Sequence, residues 1–252
     1  MDYYAAASLE QALRLHREHT DLGRRVRFLA GGTDLAVQLA EGAAETDALV
    51  DLSGVPELHG IRVDGRGLRI GAAVSLAELA RRSDLPACLT QGARAVGSPQ
   101  IRALGTLGGN LCNASPCGDT LAPAIALDAR FVLVSEAGRR EVPAEAFFTG
   151  PKATVLGRGE ILSEVLFAPQ ALEGGSAFRK IGKRSGQAIS QVNVAVWLVC
   201  APRSAAIETL RVAAGSVAPT PIRLSRVEGL LTGRVVEEEL EREAAAAAAE
   251  QI

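Results

Sequence analysis

The fold of this chain is decided by one stretch, Gly97–Leu127, which reads GSPQIRALGTLGGNLCNASPCGDTLAPAIAL. Its centre, Gly105–Asn110, combines three glycines with two small hydrogen-bonding side chains. Glycine permits φ > 0 and lets backbone N–H groups approach a ligand closely, so a polar loop of this composition is expected to hold an anion. A tight turn between two strands would give the same pattern, and both interpretations stand at this point. Asp119 or Thr120 is expected to cap the apolar run that follows.

A second glycine pair, Gly31-Gly32, lies upstream between a predicted strand, Arg25–Ala30, and a predicted helix, Leu35–Leu39. Thr33 is expected to cap that helix. In a strand–glycine–helix arrangement, backbone N–H groups and the helix dipole converge on phosphate. The G-x-G-x-x-G fingerprint is absent and no clear βαβ unit is predicted around the pair, which argues against a Rossmann domain.

Composition limits the class of protein. The chain has 252 residues, 48% of them apolar, and a formal net charge of -2. It can bury a sizeable core, as one large domain or two smaller ones, and neither disorder nor a nucleic-acid footprint is indicated. No apolar run approaches the ~20 residues of a membrane span, and Met1–Tyr4 lacks the order of a signal peptide. A soluble, cytoplasmic protein without nucleic-acid partners is therefore expected.

The cysteines and histidines are not spaced for a metal site. Cys112 and Cys117 resemble the opening of a plant-type iron–sulfur ligand run, but no third cysteine follows two residues later. The three histidines pair with no nearby cysteine, which argues against zinc. His16 and His19 fall on a predicted helix among charged residues, so a solvated face is the interpretation.

The remaining pattern predicts helices and hairpins in irregular alternation, which favours α+β over a doubly wound sheet. Before a predicted boundary near Gly174-Gly175 the elements are a helix from the Ser8 capping box to residue 19, a strand at 48–52, hairpins at 61–70 and 130–142, helices at 76–82 and 86–96, and a strand at 161–167. After it, strands at 178–183, 189–201 and 209–214 and helices ending near 231 and 252 predict a three-stranded sheet covered by helices.

Leu29–Leu35 and Gly105–Leu111, in this order of elements, resemble the FAD-binding (medium) subunit of the molybdenum hydroxylases. That family includes xanthine dehydrogenase, aerobic carbon monoxide dehydrogenase and nicotinate dehydrogenase. The resemblance spans nearly the whole chain through further matches at Ile101-Arg102, Asn113–Pro116, Asp119, Phe147–Gly150, Gly159–Leu162 and Phe178–Lys180.

The resemblance implies a fold, a cofactor and a set of contacts. The fold would be a two-part PCMH-type FAD domain, similar to vanillyl-alcohol oxidase, over residues 1–173 (subdomains about 1–56 and 57–173), then a C-terminal domain over 174–252. FAD would be the cofactor, with no metal and no catalytic residue in this chain. Its pyrophosphate would be wrapped by Phe28, Leu29, Ala30, Gly31, Gly32, Thr33, Asp34 and Leu35. A second wall would be formed by Thr106, Gly108, Gly109 and Asn110.

The resemblance implies one contact with FAD for each of three further residues. Asp119 would contact the adenosine side, Leu162 would line the adenine end and Lys180 would lie near the flavin. From the residues alone, Asp119 is equally a plain helix cap, and Lys180 an ordinary strand lysine beside Arg179 and Lys183. A cation near the ring would tune the flavin's redox behaviour.

The implied function is electron transfer. The FAD would collect electrons from [2Fe-2S] clusters of a small partner subunit, after substrate is hydroxylated in a large molybdopterin-binding subunit, and pass them to NAD or another acceptor. The cysteine-rich insertion of the aromatic-acyl-CoA reductase branch is missing. Two alternatives remain open at this stage: a self-contained flavoprotein oxidase or dehydrogenase of the related fold, and a flavin-free assembly module.

Overall fold

The protein is described by a computed structural model that covers residues 1–184, 188–235 and 237–252. Its strands are β1 (Asp2–Ala5), β2 (Val26–Leu29), β3 (Ala48–Asp51), β4 (Ile61–Asp64), β5 (Gly67–Gly71), β6 (Arg130–Ser135), β7 (Gly138–Pro143), β8 (Phe148–Gly150), β9 (Ala153–Thr154), β10 (Ile161–Phe167), β11 (Gly175–Gly182), β12 (Ser190–Cys200), β13 (Ile207–Gly215) and β14 (Ile222–Arg223). Its helices are α1 (Leu9–Asp21), α2 (Leu35–Ala40), α3 (Leu76–Leu79), α4 (Ala87–Ala95), α5 (Pro99–Leu104), α6 (Leu107–Asn113), α7 (Leu121–Ala126), α8 (Ala144–Phe147), α9 (Ser225–Leu231) and α10 (Glu238–Ala249).

The first sheet is parallel, with strand order β1-β3-β2. Ser8 caps α1 by accepting a hydrogen bond from Gln11 N, which confirms the predicted cap, while Gln11 Oε1 accepts a hydrogen bond from Ala7 N, the residue before the cap. The expectation that no βαβ unit surrounds Gly31-Gly32 was wrong, because β2, α2 and β3 form one, with β2 and β3 paired in parallel. The four residues of β1 are mostly exposed, so the sequence has no apolar alternation that would predict this strand.

The second sheet is antiparallel, with order β4-β5-β10-β6-β7, and contains both predicted hairpins. Helices α3, α4, α6 and α7 contribute to the main apolar cluster against this sheet. The three rings of Phe131, Phe147 and Phe148 pack edge to face within it, with centroids of Phe131 and Phe147 4.8 Å apart. Leu107 and Leu111 of the second glycine-rich segment belong to this cluster, which fixes that segment against the sheet.

The third sheet, β11-β12-β13-β14, carries the three long strands expected and adds a two-residue strand. Strand β12 reads as a continuous apolar run because both of its faces are covered. Ala195 and Trp197 belong to the main cluster with α4 and α7, whereas Val194 and Val196 pack in a separate cluster with α9 and α10. The apolar core therefore continues across the predicted boundary at Gly174.

The stretch around Gly105–Asn110 differs from its expected form. Most of it is helical: Thr106 caps α6, and its Oγ1 accepts from Gly109 N at 3.0 Å. Thr33 does not cap α2, whose cap position is Asp34 without a side-chain bond. Thr120 occupies the cap position of α7, also without a capping bond. Local propensity misses α6 because its glycines are poor helix formers, and contacts with the main cluster hold it instead.

The two glycine segments touch through their backbones. A Cβ atom built on Gly31 would lie 2.0 Å from Leu104 O and 2.9 Å from Gly105 Cα. No side chain fits such a gap, and a backbone cannot retreat as a flexible side chain would. Glycine at position 31 is therefore a packing requirement between segments some seventy residues apart.

We expect Gly31→Ala to destabilise the chain by at least ~2 kcal/mol, because overpacking here must displace main chain. Gly65→Ala is the matched control: nothing lies within 4 Å of its added Cβ, and its φ is not positive, so a change within about 0.5 kcal/mol is expected. Urea unfolding of both variants measures the difference. Equal stabilities would contradict the contact.

Candidate functional site

A cleft of ≈ 810 Å³ lies between the first and second sheets. Three segments form it: the β2–α2 connection, the α5–α6 region and the loop from Leu156 to Leu162. All the predicted site residues except Asp119 and Lys180 line it, namely Phe28, Leu29, Ala30, Gly31, Gly32, Thr33, Asp34, Leu35, Thr106, Gly108, Gly109, Asn110 and Leu162.

The β2–α2 connection presents unpaired backbone donors to the cleft. Within the described residues, the N–H groups of Gly31–Leu35 make no hydrogen bond to protein. Gly32 has φ +70, a conformation that turns the chain between β2 and α2 and that side chains rarely adopt. A run of free N–H groups on a glycine turn is a binding surface for an anion.

The second segment is built differently from the first. Gly108 N donates to Ala72 O at 2.8 Å and Gly109 N donates to Thr106 Oγ1, so its amides are already used. The Asn110 side chain is positioned by Thr120, whose Oγ1 donates to Asn110 Oδ1 at 2.6 Å. In the described part of the chain the Nδ2 group of Asn110 has no partner, so it is the donor this wall offers.

One hydrogen bond joins the two walls directly: Asn113 Nδ2 donates to Asp34 Oδ1 at 3.0 Å. Asn113 also lines the cleft. The bond ties the end of α6 to the start of α2 and so fixes the distance between the walls. This role of Asn113 was not foreseen from its place in the sequence.

His16 lies in the cleft, so its expected place on a solvated face was wrong. Its side chain is 8% exposed and its ring stacks on Phe28, with centroids 4.7 Å apart at 23°. Burial, and then the charge of Arg158, lower the pKa of His16 from its usual value. The imidazole is therefore neutral at pH 7. The apolar stripe of α1, which includes Leu13, was the signal that could have revealed it.

Asp119 and Lys180 form a buried ion pair with each other. Lys180 Nζ lies 2.5 Å from Asp119 Oδ2 and also donates to Ala95 O at 3.1 Å. Burial raises the pKa of Asp119 to about 6, while the hydrogen bond from Lys180 opposes that rise. Its other oxygen, Oδ1, is buried without a partner. The two side chains therefore contact each other directly, whereas the resemblance assigns them to different parts of the cofactor.

A second cavity, of ≈ 910 Å³, helps to place this pair. Lys180 and Ala95 line it, while the next residue, Val96, lines the cleft, so the two cavities meet at the C-terminal end of α4. Ile101 also lines the cleft there and is 38% exposed. The ion pair thus stands beside the end of the cleft that Val96 and Ile101 line.

The described residues give no sign of a metal centre: no group of three or more His, Cys, Asp or Glu side chains could hold an ion. Cys112 lines the cleft, and burial raises the pKa of its thiol to about 12. A thiol that stays protonated is a poor ligand and a poor nucleophile.

The chain matches two family models that follow one another. Residues 1–170 match the FAD binding domain in molybdopterin dehydrogenase, and residues 176–252 match the CO dehydrogenase flavoprotein C-terminal domain. The chain belongs to the FAD-binding subunits of the molybdenum hydroxylases. This flavoprotein subunit is part of an oxidoreductase, and the family's cofactor for it is FAD.

The sequences of individual relatives align with this chain over most of their length. The flavoprotein subunit is 36% identical to the xanthine dehydrogenase FAD-binding subunit of Escherichia coli O157:H7, over 90% of this chain and 77% of the relative. It is 32% identical to the carbon monoxide dehydrogenase medium chain of Hydrogenophaga pseudoflava, over 98% and 85%. The solved structure of that organism's carbon monoxide dehydrogenase superposes with a TM-score of 0.89 at 32% identity, over 98% of this chain and 85% of that one.

The flavoprotein subunit's own residues fit FAD. Free amides suit a pyrophosphate, and a Cβ atom added at Gly31 would clash with the backbone of Leu104 and Gly105, so the two walls are as close there as backbone allows. None of the helices in the described ranges is long and apolar enough to cross a bilayer.

We expect Lys180→Met to destabilise the flavoprotein subunit by about 3 kcal/mol, because it leaves a buried carboxylate unpaired. The loss should be larger at pH 7 than at pH 4.5. The pKa of Asp119 in the folded protein is about 6, above its unfolded value. The stability that protonation of this buried carboxyl contributes is therefore fully present below about pH 4 and is lost as the pH rises through about 6, where the carboxyl ionises. Chemical denaturation at the two pH values measures both effects.

Asp128→Asn is the control for that experiment. Asp128 pairs with Arg211 at 3.2 Å and likewise joins the α7 region to the third sheet, but its side chain is 59% exposed. Its loss should cost under about 1 kcal/mol. A Lys180→Met variant no less stable than this control at pH 7 would contradict a structural pair.

Proposed function

We propose that the cleft binds FAD without a covalent bond and that the subunit carries electrons within a molybdenum hydroxylase. The observation that carries the proposal is the row of unpaired N–H groups from Gly31 to Leu35, in a cleft whose walls meet through glycine backbone. When bound, FAD supplies a carrier that takes up electrons singly and releases them in pairs. The protein's part is to bind, orient and exclude water.

The two walls divide that work. Gly31, Gly32 and Thr33 donate backbone N–H groups to the pyrophosphate, and Asn110 Nδ2 donates from the opposite wall. Leu29 and Leu35 exclude water beside them, and Leu162 does so on the β10 side. Asn113 and Asp34 hold the walls at their spacing through a 3.0 Å bond.

Asp119 and Lys180 are proposed to act together at the ring end of the cofactor. This replaces the expectation that Asp119 serves the adenosine side, because its carboxylate is 2.5 Å from the Lys180 ammonium. A positive charge near the ring favours added electron density there. The carboxylate moderates that charge and fixes the position of the amine.

The partners are proposed from the family's organisation. Electrons would arrive from [2Fe-2S] clusters of a small subunit, after hydroxylation in a large molybdopterin subunit, and leave to NAD or another acceptor in a cytoplasmic complex. Supporting this, the chain matches the carbon monoxide dehydrogenase medium chain and the xanthine dehydrogenase FAD-binding subunit over most of their length. The exposed Ile101 and Leu104 leave the ring end accessible from outside.

A self-contained oxidase with tethered flavin is the second candidate, since Cys112 and His16 both line the cleft. Burial raises the pKa of Cys112 to about 12, which keeps its sulfur protonated and unreactive. Acid precipitation separates the two candidates. Flavin is expected in the supernatant, and flavin retained in the pellet would favour the oxidase.

Gly32→Val is expected to abolish flavin binding, because a branched side chain would enter the space of the phosphates and strain a φ of +70. Gly42→Val separates the two effects: Gly42 has φ +69, open space around it and a position outside the cleft. Flavin content per protein, from visible absorbance, is the measurement. Normal content in Gly32→Val, or equal loss in both variants, would contradict the phosphate site.

Co-expression with the neighbouring reading frames tests the assembly. We expect the subunit to co-purify with a molybdopterin protein and a [2Fe-2S] protein, and its flavin to be reduced when the complex receives substrate. A colourless chain even after addition of FAD would favour the flavin-free assembly module. A yellow chain that never associates with either partner would contradict the electron-transfer role alone.

A further inference from the structure

His16 is the feature of the cleft that the proposed function leaves unexplained. Its ring is stacked against Phe28 and buried, yet within the described residues neither imidazole nitrogen has a hydrogen-bond partner. Neither nitrogen is among the polar atoms sealed off from solvent. A buried polar ring normally satisfies its nitrogens, and here the cleft is the direction left open.

His19 shows what a purely structural histidine looks like on the same helix. Its ring stacks on Tyr4, with centroids 4.4 Å apart, and its Nδ1 lies 3.1 Å from Arg24 Nη1. His19 is outside the cleft. The two histidines therefore share a helix and an aromatic stacking partner, but of the two only His16 lines the cleft, and its ring nitrogens have no hydrogen-bond partner within the described residues.

The loop that faces His16 adds a cation. A Cβ atom on Gly159, which has φ +78, would lie 3.2 Å from His16 Nδ1, so the loop passes directly against the imidazole. The neighbouring Arg158 is exposed and lines the cleft. Ile161 and Leu162 line the same region with apolar surface. Together these groups make a partly apolar slot with a neutral imidazole and a guanidinium at its edge.

This slot suits a purine nucleoside. A purine offers donors and acceptors at its edge and a face on which a guanidinium can stack. Phe28 precedes Gly31 by three residues, about 10 Å of extended chain, which is a suitable spacing for a base joined through ribose to a phosphate at the glycine turn. The opposite end, near Ile101, lies beside the Asp119–Lys180 pair and suits the ring that exchanges electrons.

We propose that His16 and Arg158 are specificity-determining residues that recognise the adenosine half of FAD. A ring nitrogen of His16 makes a hydrogen bond to the adenosine, and the Arg158 guanidinium stacks over the purine. Because FMN lacks the adenosine, these two residues make the cleft select FAD over FMN. The inference rests on the proposed binding of FAD in this cleft. It adds contacts from α1 and from the 156–162 loop to those of the glycine turn.

Flavin affinity of the full-length apoprotein tests the inference, with FAD and FMN titrated separately by fluorescence. His16→Leu keeps the bulk and removes both nitrogens, and we expect its Kd for FAD to rise about tenfold, as for one lost hydrogen bond. Its Kd for FMN should change less than twofold. ADP should compete with FAD for the wild-type protein and compete less well for the variant.

Arg158→Ala provides a second test that does not disturb the core, and a several-fold rise in the Kd for FAD alone is expected. His19→Leu and Arg66→Ala are the matched controls, since Arg66 is an exposed arginine in a turn outside the cleft. An unchanged FAD-to-FMN ratio in a folded His16→Leu variant would overturn the role of His16. If that variant does not fold, an unchanged ratio in Arg158→Ala overturns the proposal. A wild-type chain that binds no FAD would instead refute the proposed function itself.

Discussion

The cleft exists because two backbones touch. Gly31 lies so close to Leu104 and Gly105 that even a methyl group would overlap the carbonyl oxygen of Leu104. That contact sets the position of the β2–α2 turn relative to α6, and the bond from Asn113 to Asp34 sets its orientation. The spacing of the phosphate-binding groups across the cleft depends on this junction. Glycine is needed at position 31 because the absence of a side chain allows the two backbones to make contact.

Much of this arrangement could be predicted from local patterns. The Ser8 cap of α1 and the hairpin at 130–142 were predicted correctly because each signal is complete within a few residues. The motifs of the two walls also identified the family, since an ordered set of glycine segments is specific where a single one is not. The local conformation of the second wall was harder to predict, because tertiary contacts make a helix out of a glycine-rich sequence.

Pairings between distant residues could not be predicted in this way. Asp119 and Lys180 are 61 positions apart, and nothing in either neighbourhood indicates that they neutralise each other. His16 was hidden for a related reason: its neighbours Arg17 and Glu18 are exposed, and a helix turns one residue inward among polar ones. Strand β1 was missed because it is short and exposed. In each case the deciding partner lies in another part of the fold.

The third sheet has a consequence for how such subunits can evolve. Trp197 and Ala195 complete the main apolar cluster from one face of β12, and Phe178 does so from β11. The C-terminal segment is therefore not an exchangeable module attached by a linker, although a separate family model describes it. A recombination event near residue 174 would expose the apolar surface of α4 and α7 unless the incoming sheet matched it. Inheritance of the two segments as one unit follows from that shared interior.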